Sequence, residues 1–194
     1  MLLDNKMNFN QMLIHHCAPT ICNIKPGNIF FVQNRLYSKV GLEAWRKESS
    51  KLGISLFSVR ISKTSRAILA LNVGWAADIL RDGFVKEYLE GKGYAVADAR
   101  DFVRELFCRM LRGKGFPHEV GIILGYPLAD VIEFENHKGH DCKFCGCWKS
   151  YSDVENARRC LCEYKECMGV CEAWYDEGYS LSQIVTAYRK LSAA

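Results

Sequence analysis

An α+β fold, with a small antiparallel sheet and several helices packed around it, is predicted by three patterns in the chain. Two alternating runs, Phe57-Ser58-Val59-Arg60-Ile61 and residues 67–73, flank the polar link Ser62-Lys63-Thr64-Ser65, which suits the loop of a β-hairpin over about 54–73. Behind Asp98, a good helix cap, Phe102, Val103, Leu106, Phe107, Met110 and Leu111 recur at helical spacing and form one apolar stripe. Residues 117–136 carry the glycine and proline spacing of a helical hairpin.

The other elements follow from local signals. Phe9, Met12, Leu13 and His16 predict a short helix over 8–17. Ala18-Pro19 should interrupt it, because the residue before a proline avoids the α region, and Pro19 suits the start of a second short helix over 20–24. Lys25-Pro26-Gly27-Asn28 reads as a turn before a strand near 29–33. A helix over 40–51, marked by Leu42 and Trp45, ends at Gly53. Another covers 75–89, with a break near Asp82-Gly83 and a stop at Gly91-Lys92-Gly93. Gly113-Lys114-Gly115 closes the helix behind Asp98. Residues 144–151 alternate as a strand, with Cys145, Cys147, Lys149 and Tyr151 on one face. Ser152 with Glu155, and Ser180 with Gln183, have capping-box spacing and open two final helices, to about Trp174 and Leu191.

A chain of 194 residues with 49% hydrophobic and 25% charged side chains suits one domain over 1–194 with a real core, and argues against disorder. Its net charge of +4 demands no polyanionic partner. The most basic segment, 100–114, interleaves Asp101 and Glu105 among its cations and reads as a solvated helix face. No stretch reaches the roughly 20 apolar residues of a bilayer-spanning helix, so no membrane is expected. Asp4, the lone early cation Lys6 and His15-His16 do not make a secretory signal. A cytoplasmic location is the expectation. There the ten cysteines stay reduced, as free thiols or metal ligands.

Glu119-Val120-Gly121, Leu124-Gly125, Pro127 and Val131 fall in the register of DNA-binding helix-turn-helix units, where a small residue lets two helices approach. The chemistry is wrong for DNA. The second helix, over 127–136, carries Asp130, Glu133 and Glu135 and no Arg or Lys, so phosphates would repel it. Nucleic acid is therefore not the expected partner. The hairpin reads as a packing scaffold or as a surface for a protein partner.

Cys142, Cys145 and Cys147 form C-x-x-C-x-C behind His137 and His140, a spacing that can bring two thiolates onto one zinc or iron ion. The usual second C-x-x-C pair is missing. Cys160, Cys167 and Cys171 continue an apolar helical stripe with Ala157, Leu161, Tyr164 and Met168, where cysteine acts as a small buried hydrophobe. Of these, only Cys167 and Cys171, one turn apart, could share an ion. Cys17 is a second kind of candidate: the helix dipole lowers its pKa if it caps a helix and raises it at a helix end. His118 and Glu119, in the first turn of a later helix, could complete a Cys-His-acid set with Cys17 as nucleophile. The plainer reading of His118 is a buried, hydrogen-bonded histidine at a helix start.

Four blocks carry a resemblance: His16-Cys17-Ala18-Pro19-Thr20, Gly27-Asn28-Ile29-Phe30, the run from Phe116-Pro117-His118-Glu119 to Gly125-Tyr126-Pro127, and Cys145-Gly146-Cys147-Trp148-Lys149-Ser150-Tyr151. Together they resemble the domain-of-unknown-function family 3793 over nearly the whole chain. The resemblance implies a bacterial, single-domain protein of a family found mainly in clostridia and other Firmicutes. That family has no assigned activity, so no catalytic residues carry over. The resemblance also implies the company of flavodoxin and ferrous-iron uptake, hence an iron- or redox-related role. Cys17 and Cys145 lie inside the family-like blocks. Cys147 takes a position that is as often aromatic, and Cys142, Cys160 and Cys162 look particular to this chain.

The leading expectation is an accessory protein that binds a soft metal, iron or zinc, or undergoes thiol chemistry. Its candidate ligands are His16, Cys17, His118 and Cys145, with Cys142 and Cys147 less favoured. Two expectations compete with it. One is a Cys-His enzyme built on Cys17, His118 and Glu119. The other is a non-catalytic interaction module built on the 117–136 hairpin.

Overall fold

A computed structural model describes residues 7–112 and 116–192. Asp4, Lys6 and the helix stop expected at Gly113-Lys114-Gly115 lie outside the described residues. In chain order the elements are α1 (Phe9–Ile21), β1 (Gly27–Gln33), α2 (Lys39–Ser50), β2 (Ile54–Arg60), β3 (Ser65–Asn72), α3 (Val73–Arg81), α4 (Gly83–Gly91), α5 (Ala99–Leu111), α6 (Val120–Ile123), α7 (Leu128–Asn136), β4 (Phe144–Cys145), β5 (Lys149–Ser150), α8 (Val154–Asp176) and α9 (Leu181–Leu191). The fold is α+β, with one antiparallel three-stranded sheet and one two-stranded ladder among the described residues. No helix among them is long and apolar enough to cross a membrane.

The chain divides into two compact units. The first comprises the chain up to Asn72 and from Tyr164 onward; the second is Val73–Glu163. In the first unit β3 is the central strand, pairing antiparallel with β1 on one side and β2 on the other. Five consecutive β3 residues, Ala67, Ile68, Leu69, Ala70 and Leu71, are fully buried, so both faces of this strand are covered. The β2–β3 hairpin turns at the expected polar link, where the Ser62 hydroxyl accepts from the amides of Thr64 and Ser65. Helix α1 packs on β1, α2 on β2, and α9 against α2.

Helix α1 corrects one expectation. It runs unbroken through Ala18-Pro19 to Ile21. Pro19 sits in its last turn, where the missing N–H forfeits one hydrogen bond, and every residue from Cys17 to Ile21 is buried. Tertiary burial outweighs the local signal. The helix then ends in a Schellman motif: the Asn23 amide donates to Thr20 O (3.1 Å) and the Ile24 amide to Pro19 O (3.0 Å). Asn23 takes the left-handed conformation (φ 63°) that this motif needs. Its side-chain oxygen accepts from Asn72 Nδ2 at 2.8 Å.

In the second unit, Asp82 caps α4 through the amides of Phe84 and Val85, which produces the expected break, and Asp98 caps α5. The helical hairpin is present, although α6 is a single turn. Its close approach is set by Gly121: a Cβ there would lie 2.8 Å from Tyr126 Cδ2 and 3.2 Å from Val131 Cγ2. The stretch near 144–151, expected as one strand of the sheet with 29–33 and 54–73, is instead a separate two-stranded ladder that doubles back on itself, Phe144 pairing with Ser150 and Cys145 with Lys149. The reversal is closed by the Gly146 amide donating to Trp148 O (3.0 Å). Helix α8 starts one residue later than its capping-box signal predicts. Asp153 Oδ1 accepts from the Asn156 amide, while the Ser152 hydroxyl is committed to Asp130.

Candidate metal centre

The Schellman turn fixes where Cys22 points. Cys22 is the C-cap of α1, and its amide donates to Ala18 O at 2.8 Å. Cys167 and Cys171, four residues apart on α8, share one helix face. These three sulfurs meet in the core of the first unit. Cys22 Sγ lies 3.5 Å from Cys171 Sγ, and Cys167 Sγ lies 3.9 Å from Cys171 Sγ. All three atoms fall within 4.8 Å of one another. Two sulfurs that bind one ion at about 2.3 Å stand roughly 3.8–4.0 Å apart in tetrahedral or trigonal geometry. The trio therefore already has nearly the spacing of ligands on a single ion.

The site is closed. Cys167 and Cys171 are fully buried and Cys22 is 5% exposed. They belong to a hydrophobic core that includes Ile21, Leu181, Ile184, Val185 and Tyr188. The electrostatics favour one thiolate within the trio. Hydrogen bonds from Cys167 and then Cys22 hold Cys171 below the usual thiol range. Donation to Cys167 and Cys171, together with burial, pushes Cys22 up. A thiolate is the form of cysteine that binds metal ions.

The residues singled out from sequence fall elsewhere. Among the described residues, the trio is the one group of three His, Cys, Asp or Glu side chains close enough to hold an ion, and none of His16, Cys17, His118, Cys142, Cys145 or Cys147 is in it. His16 and Cys17 lie in α1 of the first unit, and His118, Glu119 and Cys145 in the second. The His16 ring stacks on Phe30, with centroids 4.3 Å apart, while its carbonyl accepts from Asn28 Nδ2. Cys17 is fully buried, and burial pushes its thiol up to about 12, away from the thiolate that a nucleophile needs. Cys145 is exposed on β4, with Cys142 and Cys147 half-buried nearby in the chain.

The family-like blocks of the second unit are tied together by buried polar contacts. Asp130, 2% exposed, accepts from Trp148 Nε1 (2.7 Å), from the amides of Tyr151 (2.9 Å) and Ser152 (2.8 Å), and from the Ser152 hydroxyl (2.8 Å). Glu135 pairs with Lys92 and accepts from the Tyr88 hydroxyl at 2.9 Å. Glu119 is buried beside Lys92 (3.7 Å) and accepts from the Tyr94 hydroxyl at 3.3 Å. The His118 ring rests against Phe134, with centroids 4.6 Å apart. Glu133 accepts from Asn136 Nδ2 (3.1 Å) beside His137 (3.2 Å), so all three acids on α7 are engaged inside their own unit, which favours the scaffold reading of the hairpin.

Comparison with known proteins agrees with the blocks quoted above. Residues 13–185 match the family described as "Protein of unknown function (DUF3793)". The chain belongs to this family. No curated protein and no solved structure matches it. The DUF3793 match spans all three sulfurs of the buried trio.

Helical spacing pairs Cys167 with Cys171, but a second helix over 20–24 gives Cys22 no place beside them. Asn23, a residue tolerant of the left-handed conformation, is the local signal that α1 stops at Cys22 and turns back.

Proposed function

We propose that this protein is a cytoplasmic accessory protein that binds one soft metal ion through Cys22, Cys167 and Cys171. The observation that carries this reading is the convergence of three buried sulfurs at ion-sharing distances. Thiolates select soft or borderline ions, and burial in an apolar wall keeps the ion from exchanging with water. The test is elemental analysis of protein purified without oxygen. Near-stoichiometric metal in the wild type, lost in Cys22→Ala and in Cys171→Ala, supports the reading. A metal-free wild type that takes up no added zinc, iron or copper removes it.

The 3.5 Å separation of Cys22 and Cys171 favours a second reading, thiol redox at the same place. Two thiols would join as a disulfide while a peroxide accepts both protons and both electrons and leaves as two waters. Thiol counting before and after one equivalent of hydrogen peroxide tests this. Loss of two thiols mapped to Cys22 and Cys171 supports it, and loss confined to exposed cysteines rejects it.

A further inference from the structure

We propose that the ion held by Cys22, Cys167 and Cys171 is monovalent copper, bound by three sulfurs and nothing else. This rests on the metal-site reading above and narrows it. The donor set comes first. Among the described residues, no histidine nitrogen or carboxylate oxygen joins the group, so the site offers sulfur alone. Soft sulfur ligands select copper(I), zinc or iron–sulfur centres over harder ions.

Coordination number separates those three. A structural zinc ion takes four protein ligands, and a zinc ion with three keeps an open position for water or substrate. Here the group has three ligands, and Cys22, Cys167 and Cys171 are 5%, 0% and 0% exposed within an apolar core. Among the described residues, no fourth His, Cys, Asp or Glu side chain completes a tetrahedron. Copper(I) has a filled d shell and accepts three thiolates in a plane without a fourth partner. An iron–sulfur cluster is held by a set of four protein ligands, whereas this group offers three, 3.5 and 3.9 Å apart as ligands of one ion are.

On binding, each S–H gives its proton to solvent as its sulfur bonds the ion. No electron moves, and copper enters and stays monovalent.

The experiment uses the full chain, reduced and free of oxygen. Copper(I) is supplied against bicinchoninate, zinc(II) is added in excess, and the copper-loaded wild type is measured by X-ray absorption. Cys22→Ser and Cys171→Ser are compared with a surface control, Cys142→Ser/Cys145→Ser/Cys147→Ser, and circular dichroism checks each fold. The expected result is one copper(I) per chain, not displaced by zinc, with three sulfur neighbours. The surface control should retain it. Each ligand variant should lose more than the roughly 10–100-fold in affinity that loss of an outer partner costs. Displacement by zinc, or nitrogen or oxygen in the copper shell, overturns the copper assignment and leaves the metal site standing. No retained metal, or retention that follows the surface triple instead of Cys22, takes down both. The absorption measurement on wild type decides the matter even where a ligand variant fails to fold.

Discussion

Cys22 Sγ lies 3.5 Å from Cys171 Sγ across 149 positions of sequence. The contact is made by a left-handed Asn23 that stops α1 at Cys22, and by a long α8 that presents every fourth residue on one face. A buried sulfur at each of these places would be an ordinary apolar side chain; together with Cys167 they form a group close enough to hold one ion.

Burial should order the reactivity of the cysteines. In a short iodoacetamide pulse at neutral pH, exposed Cys145 and Cys162 label first. Cys17, whose thiol burial pushes up to about 12, stays unlabelled until the chain unfolds. Mass spectrometry of the digested protein reads the order. Labelling of native Cys17 faster than Cys145 would restore it as a nucleophile.

Asp130 should make the second unit sensitive to acid. Burial alone would raise its carboxyl, but hydrogen bonds from Trp148, Tyr151 and Ser152 outweigh it and hold the group below its ordinary 3.8. Its folded pKa is depressed, so its contribution is fully present above the unfolded value and is lost as pH falls through the folded one. Asp130→Asn should cost about 2–4 kcal/mol at pH 7 in urea unfolding, with a smaller difference from wild type below pH 4. An equal difference at both pH values would contradict the charged acceptor.

Lys92 serves two carboxylates, Glu119 and Glu135. Burial would raise the Glu135 carboxyl, but Lys92 and Tyr88 hold it below the usual range. Lys92→Met should therefore destabilise the protein by roughly 1 kcal/mol at pH 7 after solvent screening. The loss should shrink as pH falls through the depressed Glu135 carboxyl. Urea midpoints at pH 7 and pH 3.5 measure it; a loss that grows in acid would reverse the assigned sign.

Gly121 sets the approach of α6 and α7. Gly121→Ala places a methyl 2.8 Å from the Tyr126 ring and 3.2 Å from Val131. Overpacking of this kind costs about 1–3 kcal/mol. Thermal unfolding should show a lowered midpoint; an unchanged midpoint would mean that Tyr126 moves aside freely.

The sheet, the paired helices and most caps are legible in the sequence because their signals are local: alternation in 54–73, Asp82, Asp98 and Ser180 at helix starts, Gly121 and Val131 at spacing that only a tight hairpin uses. The failures are tertiary. Pro19 signals a break that complete burial of the last turn of α1 overrides. Ser152 fits a cap, yet Asp130, 22 positions away, takes its hydroxyl. The candidate site is the least legible part, because no spacing rule joins Cys22 to α8. C-x-x-C-x-C at Cys142, Cys145 and Cys147 has the conspicuous pattern, while the sulfurs that converge look like helix-core residues.

Cadmium(II) titration of the reduced chain, followed by the ultraviolet thiolate-to-metal charge-transfer band, tests the central claim most directly. The buried trio predicts saturation at one ion per chain, with the band lost in Cys22→Ala and Cys171→Ala and kept in Cys142→Ser/Cys145→Ser/Cys147→Ser. A band of undiminished strength in Cys22→Ala, or no band in the wild type, would contradict it.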